Sequence, residues 1–152
     1  MVSIQKRIGL GFIIAALSVV TFHQAMWATL HYLNLSGLGM PPPFPTDSIP
    51  PFGVPRILNL CFWGGLWGAL FGAVWRGSRG TFWWAGLILG VAAALTGLLI
   101  VPAVKGLPIG AGWVLNNWIK SFLINGFWGL GVGLMLMPLL GTAAPRDSHA
   151  YR

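Results

Sequence analysis

Residues 81–104 read TFWWAGLILGVAAALTGLLIVPAV, twenty-four positions without one charged side chain. An α-helix needs about 20 apolar residues to cross the hydrocarbon core of a bilayer, so this stretch is long enough to span. Three further runs match it, at residues 8–30, 57–75 and 121–140. The expected fold is therefore an all-α integral membrane protein, a single membrane domain over residues 1–152 with four transmembrane helices in a bundle. Between the first two spans, residues 34–55 form a Pro-rich outer loop.

Composition points the same way. Charged residues make up 7% of the chain and mean hydropathy is +0.77, whereas about a quarter of a soluble domain is charged. The net charge of +7 comes from scarcity of acid, since Asp47 and Asp147 are the only acidic residues. Lys and Arg are scattered, so the clustered basic face that nucleic acid requires is missing and no nucleic-acid partner is expected. Lone Cys61 cannot close an internal disulfide and is read as a packing residue. The run after Lys6 and Arg7 is longer than the core of a signal peptide, and retention as a span is expected.

Basic residues set the orientation. Lys6, Arg7, Arg76, Arg79, Arg146 and Arg152 fall on one side of the four spans, and Arg56, Lys105 and Lys120 on the other. Six against three places both termini and the 76–80 turn in the cytoplasm, with the protein in the cell inner (cytoplasmic) membrane. That turn is short enough to suggest a tight hairpin of spans two and three. Trp27, Trp113 and Trp118 fall near the outer boundary and Trp75, Trp83 and Trp84 near the inner one, as interfacial indoles do.

Glycine supplies the packing pattern. Gly64, Gly68 and Gly72 share one face of span two, Gly86 and Gly90 one of span three, Gly129 and Gly133 one of span four. Lipid offers helices no hydrophobic drive to associate, so close backbone approach must supply the attraction, and glycine permits it. Phe62-Trp63-Gly64 and Phe127-Trp128-Gly129 occur at similar depth in spans two and four. Such a repeat would make the bundle two hairpins in parallel orientation, related by an axis along the membrane normal.

Chemistry is sparse. No Asp, Glu, Lys or Arg lies mid-span, where coupled transport would need one. His23, Gln24, Asn59 and Asn125 fall in the outer half and are expected to form one interhelical polar cluster. His23 and His31 are the candidates for a cofactor, but eight residues on one helix separate them by about 12 Å, too far to grip one ion axially. No catalytic residue, metal site or cofactor is expected. In the outer loop, seven prolines between Met40 and Pro55 stiffen a segment that carries Phe44, Ile49 and Phe52, apolar side chains suited to contact. The chain therefore reads as a non-catalytic accessory, assembly or stabilising subunit of a larger membrane complex, its partners the bilayer and other membrane subunits or further copies of itself. A small oligomeric transporter or channel is the alternative, and a cofactor- or pigment-binding protein through His23 and His31 the third.

Overall fold

The computed structural model describes residues 2–141, so Arg146, Asp147 and Arg152 lie outside the described residues. Four helices are long and apolar enough to cross a membrane: α1 Ile4–Leu33, α2 Arg56–Val74, α3 Arg79–Lys105 and α4 Leu115–Leu140. Each starts and stops for a local reason. Ser3 caps α1 by accepting from the Lys6 N–H at 3.4 Å, and Asn34 ends it in a left-handed conformation. Pro55 precedes α2, where its missing N–H costs no helical hydrogen bond. Gly106, at φ 65°, closes α3.

Several boundaries move outward from those expected, two of them by a helical turn or more. Helix α1 begins at Ile4 and takes in Lys6 and Arg7. Helix α4 begins at Leu115, so Lys120 lies on the helix, where a long aliphatic stem can carry the ammonium towards water. Helices α1 and α3 also contain a widened π-turn, at Val19–His23 and Thr96–Ile100. In α3 the wide turn comes just before Pro102, which can neither donate to the preceding turn nor tolerate its carbonyl. In α1 the Thr21 hydroxyl donates back to the Leu17 carbonyl at 2.8 Å, a bond that bends helices.

Packing pairs α1 with α2 and α3 with α4, and α1 against α4 joins the pairs. Spans two and three do not form the tight hairpin that their short turn suggests. They touch little, and an open apolar cleft of about 280 Å³ separates them. Their glycine faces are turned elsewhere, leaving Leu70, Val74 and Ile88 on the facing sides.

Both pairs close in the same way. A Cβ at Gly68 would strike the Gly11 carbonyl and the Ala15 methyl, and one at Gly72 the Arg7 carbonyl. A Cβ at Gly129 would strike the Gly86 carbonyl, and one at Gly133 the Phe82 carbonyl. Gly64 faces Val19 and Trp128, and Gly90 faces the Asn125 carbonyl. Contact this close is possible because one helix of each pair offers no side chain at the point of contact. In these contacts Gly68 and Gly72 of α2 take the places that Gly129 and Gly133 take in α4. That shifts the register by four residues, one helical turn, from the Phe-Trp-Gly alignment suggested by sequence.

Candidate functional site

Three side chains on one stripe of α1 hold the Pro-rich loop, residues 34–55. Gln24, Trp27 and His31 recur at helical spacing, i, i+3 and i+7, and so share a face. The Gln24 Oε1 accepts from the Phe44 N–H at 2.6 Å, the Trp27 Nε1 donates to the Pro41 carbonyl at 2.8 Å, and the His31 Nδ1 donates to the Met40 carbonyl at 2.8 Å. A carbonyl can only accept, so the His31 proton is on Nδ1. Residues 40–44 are thus fastened at three points.

The rest of the loop is tied to α2. Ser48–Ile49 (β1) and Val54–Pro55 (β2) pair as a small antiparallel hairpin. Asp47 accepts from Arg56 Nε at 2.9 and 3.0 Å and from Nη2 at 2.5 Å, and the Asp47 carbonyl accepts from the Arg56 N–H at 2.9 Å. The Arg56 guanidinium holds the Asp47 carboxyl below the usual carboxylate range, chiefly through its hydrogen bonds. Between these ties and Trp27 opens a pocket of about 570 Å³ walled by Pro41–Pro45.

What the fastened loop presents is apolar. Phe52, at the hairpin tip, is 87% exposed and Phe44 is 52% exposed, while Ile49 is half-buried. Phe52 is almost uncovered, while Phe44 is about half covered and its backbone is tied to α1. Burying such a ring is worth about 1.5–3 kcal/mol, and that free energy is left unrealised in the isolated chain.

The expected polar cluster of His23, Gln24, Asn59 and Asn125 divides. His23 is buried and its Nδ1 lies 3.2 Å from Gln24 Nε2, but Gln24 is turned to the loop. Asn125 donates to the Ser121 carbonyl of its own helix at 2.9 Å, and Asn59 makes no side-chain hydrogen bond among the described residues. Helical spacing identifies a shared face; it does not reveal that a loop returns to occupy it. The bond that does cross between helix pairs comes from residues not singled out for it. Ser18 donates to the Trp128 carbonyl at 2.8 Å, and Trp128 Nε1 donates to the Ala15 carbonyl at 3.0 Å.

Arg7 is a second omission. It is 8% exposed and donates from Nε to the Gly72 carbonyl at 3.0 Å and from Nη2 to the Trp75 carbonyl. A guanidinium there satisfies carbonyls that the end of α2 leaves free and complements its negative dipole end. Its place in sequence, beside Lys6 before an apolar run, suggests only a topology signal.

His23 and His31 face different partners, and no group of three His, Cys, Asp or Glu stands together among the described residues. No protein-family model, curated protein or solved structure matches this chain.

Proposed function

We propose that this chain is a four-span protein of the cytoplasmic membrane that acts as a non-catalytic accessory subunit, docking through its outer loop onto another membrane protein. Both termini and the 76–80 turn face the cytoplasm, in keeping with the bias of basic residues. The spans form two hairpins in parallel orientation about an axis along the membrane normal, in keeping with the matching glycine contacts of the two helix pairs.

One observation carries the functional part. Phe52 stands 87% exposed on a loop whose backbone is held by Gln24, Trp27, His31 and the Asp47–Arg56 pair. Ordering cost is thus met before any partner arrives, which is what favours tight association through a small apolar contact. The alternative of an oligomeric channel draws less support, because Gln24 and Asn125, the polar groups suited to an entrance, are already engaged.

A photo-reactive residue at position 52, with purification from the native membrane and mass spectrometry of the cross-linked product, tests this. A single membrane protein should be captured in stoichiometric yield. Phe44→Ser/Phe52→Ser should abolish its recovery while insertion, set by the spans, is unchanged. Full recovery with the double variant would reduce the loop to a connector.

A further inference from the structure

The cleft between α2 and α3 is walled by Leu70, Phe71, Val74, Trp75, Ile88 and Ala92. The Trp75 indole N–H is turned towards Gly77 in the adjoining turn, where it is buried and has no hydrogen-bond partner among the described residues. The corresponding seam between α1 and α4 is filled, with Val132 and Leu136 both fully buried. The cleft therefore represents a seam that the same architecture closes on one side and leaves open on the other.

Its closed end is the turn that joins α2 to α3, and that end is basic. Arg76 follows Trp75 directly, Arg79 opens α3, and Lys6 and Arg7 come from the start of α1, with Arg7 donating to the Trp75 carbonyl. Asp47, the acid among the described residues, pairs with Arg56 at the opposite end of α2. Arg76 and Arg79 are both exposed, and Arg79 also donates from Nε to the Gly141 carbonyl at the end of α4, at 3.3 Å. Among the described residues this end of the bundle carries basic side chains and no carboxylate.

We propose that the cleft binds an anionic phospholipid, with one acyl chain between α2 and α3 and the phosphate on Arg76 and Arg79. A helix, about 10 Å across with its side chains, is too thick for a cleft of about 280 Å³ rimmed by Leu70, Val74 and Ile88. A flexible acyl chain fits an apolar slot that opens sideways to hydrocarbon. Basic sites between spanning helices on the cytoplasmic side suit anionic headgroups. This site lies away from the outer loop, so lipid preference and partner recovery fail separately.

Native mass spectrometry of the full chain, delipidated in mild detergent and offered phosphatidylglycerol or phosphatidylcholine of identical acyl chains, tests it. The wild type should bind one phosphatidylglycerol with about tenfold preference, since each basic side chain at the surface favours an anionic headgroup. Arg76→Gln/Arg79→Gln should bring that preference close to unity. Ala92→Phe, which fills the slot, should lower retention of either lipid. Should Ala92→Phe fail to fold, the exposed arginine pair alone decides. Equal binding of both lipids by the wild type, or an undiminished preference in the double arginine variant, would overturn the proposal. So would a disulfide-linked dimer of Ile88→Cys in a Cys61→Ser background, because a second copy would then occupy the cleft.

Discussion

Trp128 is bonded to α1 in both directions. Its indole donates to the Ala15 carbonyl at 3.0 Å, and its own carbonyl accepts from the Ser18 hydroxyl at 2.8 Å. The residue is 2% exposed, so neither bond competes with water, and the pair joins the α1–α2 unit to the α3–α4 unit. Trp128→Phe keeps most of the ring and removes one donor. It should lower stability in detergent by about 1–2 kcal/mol, with Ser18→Ala costing about 1 kcal/mol. Because the two bonds share one residue, the double variant should be non-additive in a thermal or denaturant titration.

Glycine contacts within each helix pair should be less forgiving. A side chain at Gly68 or Gly129 meets backbone of the facing helix, which cannot rotate away. Gly68→Leu and Gly129→Leu should each cost about 2–3 kcal/mol or prevent folding, against near neutrality for Leu58→Ala on an exposed face. Thermal unfolding in one detergent compares them directly. Equal tolerance at all three positions would show that the helices do not meet there.

Arg7 should matter more than a topology signal would. Arg7→Leu removes the donors to Gly72 and Trp75 and leaves carbonyls at the α2 terminus without them, a loss of about 2–3 kcal/mol. Arg7→Lys keeps the charge but not the fork of donors, and should recover only part of that stability. If Leu and Lys behave alike, the bonds contribute little.

Loop order should respond to acid in one direction. Asp47 has its carboxyl held below the ordinary value by Arg56, so the contribution of the pair is present above that ordinary carboxylate range. It is lost only as pH falls through the depressed value, when protonation leaves Arg56 without its partner. Hydrogen exchange at the Arg56 and Gly53 amides should stay slow from neutral pH to the usual carboxylate range and quicken below it, after correction for intrinsic rates. Asp47→Asn should show the quickened exchange already at pH 7. Gln24→Ala should do the same for the Phe44 amide without changing Arg56.

Orientation is open to labelling. With cytoplasmic termini, Ser78→Cys should react only from the inside and Ser48→Cys only from the outside, both in a Cys61→Ser background. Labelling of Ser48→Cys from the cytoplasmic side would invert the scheme, and with it the leaflet assigned to the lipid cleft.

Sequence alone determined that four long apolar helices exist and roughly where they run, because length and absence of charge are properties of each segment by itself. The recurrence of glycine every four residues is likewise a property of each segment and needs no partner to be seen. Tertiary structure decided where those faces turn. Gly64, Gly68 and Gly72 look to α1 and not to the neighbouring α3, so the shortest turn in the bundle joins helices that touch little. It also decided that Gln24 and His31 bind a returning loop, and that Arg7 reaches across to the end of α2. The physical reason is common to all three. A side chain's type fixes which bonds it must make, but the groups that answer it lie 9 to 65 residues away, and only the folded chain brings them within 3 Å.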